Sequence, residues 1–310
     1  MTELPYLDEA ELFGLVPWAD AVTALERALL DGLDPAVAPA RSIIDVAHGQ
    51  LLLMPAETSG GVGVKLGTVT RGNPDRGLPR VQALYVLLDP VTHCPLALMD
   101  GTALTTLRTP AVSAVAVKHL AAPEAGRLVL FGSGPQAWGH VEAIRTVRPL
   151  ETVTVVGRDR SRAESLAGRL EEAGVAAQVG TADAVAQADI VVCATTARTP
   201  VFDGRLLQDH ACVVAVGSHE PDARELDEQV MRRAECIAVE DPSAALREAG
   251  DVIMAVKAGA LEADRLVGLA DVVRMRGVPG LSVFKSVGMG WEDLVVAQLA
   301  YQRRSGAPHV

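Results

Sequence analysis

Aromatic residues are scarce in this chain. Trp, Tyr and Phe make up 3% of its 310 residues, whereas 49% are hydrophobic, rich in Ala, Val and Leu. That composition is the one soluble α/β enzymes have. Positive charge is also in deficit, with 28 Lys and Arg against 39 Asp and Glu and a formal net charge of −11. A nucleic acid or an anionic membrane surface therefore has no electrostatic footing, and neither is expected as a partner. The four cysteines, Cys94, Cys193, Cys212 and Cys236, form no C-x-x-C pair, so buried thiols are expected rather than disulfides or zinc. The seven histidines show neither H-x-x-x-H nor H-E-x-x-H spacing, and no protein-bound metal is expected. No charged-then-apolar leader follows Met1 and no apolar run approaches 18 residues, which reads as a cytoplasmic protein.

What is present has two rhythms. Asp8–Gly14 and Pro17–Leu30 read as helices, the second with Val22, Leu25 and Leu29 along one face. Strands are expected at Gln50–Met54, Val62–Thr70, Val81–Leu88 and Leu96–Met99, separated by breaks such as Asp89-Pro90. Successive strands without helices between them argue for an antiparallel sheet. Thr109-Pro110 reads as the opening of a buried helix to Leu120, with Thr109 as its N-cap. From Arg127 strands and helices alternate. The strands are Leu128–Phe131, Thr152–Val156, Ile190–Ala194, Cys212–Val216 and Cys236–Val239; helices are expected at Gln136–Val147, Arg162–Ala173, Leu226–Arg233 and Pro242–Ala249. This is the alternation of a doubly wound parallel sheet. It stops near Ser282–Lys285, and Trp291–Arg303 follows as an amphipathic helix.

The stretch Arg127–Trp138 organises the second half. Strand Leu128–Phe131 runs into Gly132, Ser133, Gly134, Pro135, Gln136 and Ala137, and a helix follows. Gly132 permits the tight turn, Gly134 lets backbone approach a pyrophosphate, and Ala137 keeps the helix near the sheet. Pro135 suits the first helical turn, and the N–H groups of that turn form an anion site. A glycine-rich turn of this kind also occurs for structural reasons alone. The second strand is followed by Gly157, Arg158, Asp159, Arg160, Ser161 and Arg162. An NAD-selective site usually has Asp or Glu directly after that strand. Arg158 instead suits a 2′-phosphate, with Arg162 behind it, so NADP(H) is favoured over NAD(H). Asp159 remains the alternative, as an acidic ribose reader displaced along the loop, and Arg160 reads as a solvated helix start.

Several short motifs appear in a particular order: Met54-Pro55, Gly63-Val64-Lys65, Arg76-Gly77-Leu78-Pro79, Met99-Asp100-Gly101 and Leu104–Thr109. They continue through Gly132–Gln136, Pro221–Leu226 and Phe284–Met289 to Glu292-Asp293. In these the chain resembles the ornithine cyclodeaminase/mu-crystallin family over nearly its whole length. The resemblance implies a Rossmann domain, residues 121-285, inserted into a discontinuous α+β substrate-binding and dimerisation domain, residues 1-120 plus 286-310, with a mostly antiparallel sheet. It also implies a homodimer. The family's basic cluster clamps the carboxylate of a small amino or imino acid and corresponds to Arg41, Lys65 and Arg108. A guanidinium there makes chemical sense, because a carboxylate needs bidentate bonding to fix the face it presents. By the same resemblance Thr109, Ser286 and Val287 approach cofactor or substrate, and Thr195 lines the dinucleotide crevice.

Departures from the family pattern select among its activities. The essential Asp of the cyclodeaminases corresponds to His219, their acidic residue before Met-Pro to about Leu52, and a threonine to Arg80. Without those carboxylates, hydride recycling with ammonia loss has no base. The expected function is an NADPH-dependent ketimine reductase acting on pyrroline-2-carboxylate or piperideine-2-carboxylate, with Lys65 or His219 as proton donor or water-positioner. The alternatives are an ornithine cyclodeaminase, an alanine dehydrogenase, and a non-catalytic crystallin-like binder of NADPH or a small ligand.

Overall fold

The computed structural model describes residues 4–58, 60–275 and 277–306. Residues 1–3 and 307–310, which the sequence reading assigns to the first domain, lie outside them. Contacts divide the chain into two units, Met1–Arg108 with Met289–Val310, and Thr109–Gly288. The fold is α/β, with one parallel sheet and one mostly antiparallel sheet.

In the first unit the order is β1 (Tyr6–Leu7), α1 (Glu9–Leu15), α2 (Trp18–Leu30), β2 (Ser42–Val46), β3 (Gly49–Thr58), β4 (Gly61–Val69), β5 (Val81–Leu88) and β6 (Pro95–Asp100). The sheet runs β1-β6-β5-β4-β3-β2, antiparallel throughout except for β1 beside β6. Register aligns Met54, Lys65, Tyr85 and Met99 across it, on the face that carries Leu52, Ala56, Leu87 and Ala97. All of these are buried, so one lysine sits in an apolar row. The neighbouring glycines make room for large partners. A Cβ on Gly63 would lie 2.1 Å from the Tyr85 hydroxyl, and one on Gly290 would lie 2.7 Å from the Pro55 carbonyl. Edge strand β2 leaves Ile43, Ile44 and Val46 exposed, with Leu66 and Val81 exposed on the same sheet. Sequence reasoning misses β2 because Ser-Ile-Ile-Asp-Val does not alternate, and β1 because it is two residues long.

Helix α3 (Gly101–Leu120) corrects the expected start at Thr109. Asp100 at the end of β6 accepts from the backbone N–H groups of Thr102 (2.8 Å) and Ala103 (3.0 Å). That carboxylate caps the helix a full two turns earlier. Pro110 therefore lies inside the helix and removes one ladder bond, at a cost of about 3 kcal/mol for an unsupported helix interior. Burial offsets it: Leu104, Leu107, Ala111, Val112, Val115 and Ala116 have no or almost no exposure.

The second unit contains β7 (Arg127–Phe131), α4 (Pro135–Ile144), β8 (Thr152–Val156), α5 (Arg160–Glu172), β9 (Ala177–Val179), β10 (Ile190–Cys193) and β11 (Cys212–Ala215). Next come α6 (Glu228–Arg233), β12 (Cys236–Val239), α7 (Pro242–Glu248), α8 (Gly250–Lys257), β13 (Leu266–Gly268), α9 (Leu269–Val272) and β14 (Ser282–Lys285). Its sheet is parallel and runs β13-β12-β14-β11-β10-β7-β8-β9. The segment where the alternation was expected to stop is thus a strand in the middle of the sheet. Its polar ends hide it from a hydrophobicity reading, yet Ser282 and Lys285 are wholly buried. Such strands, covered on both faces, do not alternate. Helix α10 (Gly290–Ser305) then returns to the first unit, where it packs on α2, β3 and β4.

Candidate functional site

Two clusters hold the residues singled out by sequence, one in each unit. In the first unit Lys65 Nζ lies 3.1 Å from Thr105 Oγ1 and 3.0 and 2.8 Å from the two carboxylate oxygens of Asp293. Arg108 donates to Glu292 Oε2 at 2.6 Å and to Asp293 Oδ1 at 3.3 Å. Lys65 and Arg108 are about 5% exposed and the two acids not at all. Burial lowers the Lys65 pKa to about 8; Asp293 opposes the shift, and the charges of Arg108 and Arg41 add to it. Arg41, Lys65 and Arg108 therefore share one electrostatic site.

Glu292 and Asp293 are the members that sequence reasoning left without a role. Their position in the first turn of α10 explains the oversight, since acids there are ordinary partners of a helix dipole. Glu292 does serve the helix, because its Oε1 accepts from Met289 N–H at 2.9 Å, but its other oxygen faces Arg108. Tyr85 lies beside Asp293, and burial raises its phenol well above the usual range. Leu52, where the cyclodeaminases carry an acid, is buried on the inward face of β3. Arg80 is half-buried just before β5, and its carbonyl accepts from Thr70 N–H. A groove of about 860 Å³ lies elsewhere on this unit, between α2 and α10, and none of the three bases lines it.

In the second unit Gly132 has φ +116°, and a Cβ there would lie 2.5 Å from the Ala194 carbonyl. Only glycine satisfies both conditions. Gly134 is the N-cap of α4, with Pro135 in the first turn and no side chain capping it. Nothing lies within 4 Å of a Cβ placed on Gly134, so the turn is open where a pyrophosphate would approach. Ser133 and Gln136 flank that opening. The Gln136 carbonyl meets His140 Nδ1 at 2.7 Å, and His140 Nε2 meets Ser113 Oγ at 3.0 Å. Burial lowers the His140 pKa to about 4. The ring is thus neutral, with its proton on Nδ1, because a carbonyl can only accept.

At the end of β8, Arg158 is exposed and reaches Thr196 Oγ1 at 3.4 Å. Asp159 is the N-cap of α5, accepting from Arg162 N–H at 3.2 Å, and Arg162 Nε lies 3.5 Å from its carboxylate. The helix therefore starts at Arg160, two residues earlier than expected, and the Asp159 side chain is committed to capping. Arg160 lies on the exposed helix start, 2.8 Å from Glu164.

Three buried carboxylates that sequence reasoning missed hold the loops beyond the strand ends. Glu225 accepts from Thr195 N–H (2.8 Å), Thr195 Oγ1 (2.7 Å) and Gly217 N–H (2.7 Å). Glu240 accepts from Ser286 Oγ (2.5 Å), Val287 N–H (3.1 Å) and Gly288 N–H (2.8 Å). Asp251 accepts from the N–H groups of Glu225 (2.7 Å) and Leu226 (2.8 Å) and lies 3.1 Å from Lys285 Nζ. Thr195, Ser286 and Val287 are thereby fixed by acids behind them. His219 is half-buried on the loop after β11, between Ser218, which is bonded to the Ala223 carbonyl, and Glu220, which is paired with Arg198. Thr109 is buried within α3, and its carbonyl lies 3.0 Å from Ser113 Oγ. No helix among the described residues is long and apolar enough to cross a membrane.

The chain belongs to the ornithine cyclodeaminase/mu-crystallin family, whose profile matches residues 19–307. It is 35% identical over 270 residues to the ketimine reductase mu-crystallin of Mus musculus, covering 85% of this chain and 84% of that one. The structure of Thermococcus litoralis Delta(1)-pyrroline-2-carboxylate reductase, in complex with NADH and L-proline, matches with a TM-score of 0.92 at 32% identity, over 99% of this chain and 100% of that one. An archaeal alanine dehydrogenase, a dimer with bound NAD, matches with a TM-score of 0.91 at 30% identity, over 98% and 96%.

Proposed function

We propose that this family member is an NADPH-dependent reductase of a cyclic imino acid such as pyrroline-2-carboxylate or piperideine-2-carboxylate. The observation that carries the reading is the pair of buried bases Lys65 and Arg108, with the charge of half-buried Arg41 acting on the same site. Such a group of bases suits a carboxylate. The relatives named as pyrroline-2-carboxylate and ketimine reductases supply the C=N bond. A dinucleotide suits the open turn at Gly134 and the uncapped start of α4, with Gly132, Ser133, Pro135 and Gln136 forming the turn and Thr195 and Ser286 lining the crevice. Held there, a nicotinamide would supply the hydride that reduces a C=N bond.

The remaining work falls to side chains. Arg108 and Arg41 hold the carboxylate, with Val287 beside the substrate. Lys65 gives a proton to the imine nitrogen, completing the conversion of C=N to CH–NH. A donor with a pKa of about 8 is protonated at neutral pH yet releases its proton readily. His219 is the second choice for that proton, or for positioning a water. Arg158, with Arg162, reads a 2′-phosphate, because Asp159 is engaged in capping α5. The exposed apolar residues Ile44, Val46 and Leu66, which share the outward face of the antiparallel sheet, support a homodimer through that face.

NADPH oxidation with the two imines tests the reading. Turnover of either supports it, and ornithine-dependent ammonia release without imine turnover overturns it. Arg158→Ser should lower the preference for NADPH over NADH about 10-fold, the worth of roughly one charge-assisted bond. The alanine dehydrogenase match favours a second reading, reductive amination of a 2-oxo acid. Ammonia-dependent turnover of pyruvate exceeding that of the imines would select it.

A further inference from the structure

The loops that follow β7, β10 and β11 touch in series. Those strands are neighbours in the sheet, and each loop meets the next through a glycine. A Cβ on Gly132 would lie 2.5 Å from the Ala194 carbonyl, and one on Gly217 would lie 2.0 Å from the Thr195 carbonyl and 2.6 Å from Glu225 Oε1. No side chain cushions either contact, so a displacement of Thr195 must move its neighbours. Glu225 is the group that fixes Thr195. Its carboxylate binds both the N–H and the hydroxyl of Thr195 with one oxygen and the N–H of Gly217 with the other. Thr195 Oγ1 in turn accepts from Ala197 N–H at 3.1 Å, which turns the chain away from the strand. Glu225 is itself held from behind. Its own N–H and that of Leu226 donate to Asp251, and Lys285 pairs with Asp251 while donating to the Ser218 carbonyl at 2.6 Å. All three charged groups have at most 1% exposure. A buried carboxylate with this many donors is costly to assemble and keeps one geometry.

We propose that Glu225 is a positioning residue for the dinucleotide: by stitching Thr195 to Gly217 it sets the line of loops against which Gly132 turns, without touching the ligand. The proposal rests on the reading of the Gly132–Gln136 turn as the nucleotide site. Glutamine at 225 keeps the shape but not the chemistry. Its amide nitrogen must oppose an N–H of either Thr195 or Gly217, so one attraction becomes a clash of donors.

The test is a binary titration of NADPH against the full-length protein, with steady-state kinetics beside it. Glu225→Gln should raise the NADPH Kd about 10-fold, while the imine KM and the kcat at saturating NADPH stay within about twofold, since remote loop placement alters nucleotide binding rather than the proton donor. Thr195→Val removes the hydroxyl bond alone and should raise Kd about threefold. The double variant should be no weaker than Glu225→Gln, because both changes break one unit. Additive losses overturn the proposal, as they would place Thr195 on the ligand independently of Glu225. A folded Glu225→Gln protein with wild-type Kd also overturns it. Should Glu225→Gln not fold, Thr195→Ser against Thr195→Val decides. Serine keeps the donor to Glu225 and should bind NADPH more tightly than valine, and a serine variant as weak as valine overturns the proposal. Wild-type protein that binds neither NADPH nor NADH overturns the nucleotide reading itself, and is seen before any variant is made.

Discussion

The two units bury acids for opposite purposes. In the first, Glu292 and Asp293 face the cationic side chains of Lys65 and Arg108. In the second, Glu225, Glu240 and Asp251 face mainly backbone N–H groups and hydroxyls, and the sum of hydrogen bonds is what matters. An acid paired with a base offsets its charge, whereas an acid paired with N–H groups fixes a loop. The first arrangement is sensitive to charge and the second to geometry.

That contrast can be broken at four places. Arg108→Met should produce the largest effect, a fall in kcat/KM for the imine on the order of 100- to 1000-fold, with the NADPH Kd unchanged within about twofold. Steady-state kinetics and a binary titration read the two halves separately. Glu240→Gln should cost about 10-fold in kcat/KM, the scale of one lost bond to a charged group, because the Ser286–Gly288 loop loses its acceptor. Unlike the arginine variant, it should leave the pH profile intact. The third prediction concerns that profile. Lys65 is the charged donor below its pKa of about 8, so kcat/KM should fall as pH rises through about 8, and Lys65→Arg should abolish that limb. A profile flat to pH 10 would remove Lys65 from the proton step.

The smallest effect is one of stability in the second unit. His140 has a folded pKa of about 4 against an ordinary 6.5. The unfolded chain therefore binds the extra proton between those values, and stability should be complete above about pH 6.5 and decline as pH falls toward 4. Thermal melts of wild type and His140→Gln should converge at acid pH as the wild type loses this contribution.

Much of this organisation can be read without coordinates. Apolar runs punctuated by Gly and Pro give most of the strands of both sheets, and the Gly132–Ala137 spacing gives the tight turn between β7 and α4. Arg41, Lys65 and Arg108 enter through motifs shared with a family. The parts that escape share one physical cause, polar groups that are buried because a distant partner satisfies them. Ser282 and Lys285 disguise a central strand, and Lys285 needs Asp251 to be there. Glu225 reads as one more charge in a polar loop until Thr195 and Gly217 are placed around it. Thr109 looks like a helix start because Thr-Pro usually is one, and only the Asp100 carboxylate shows that the helix had begun earlier.

The position of β14 has a consequence for how the molecule is made. It lies between β11 and β12, which precede it by tens of residues, and α10 covers the antiparallel sheet soon afterwards. Until the ribosome has delivered residues 282–305, one sheet has a gap at its middle with two unpaired edges and the other lacks its lid. Domains usually fold as they emerge, the N-terminal one first. Here neither can finish early, so both units should complete together, after a period in which open strand edges need protection from aggregation.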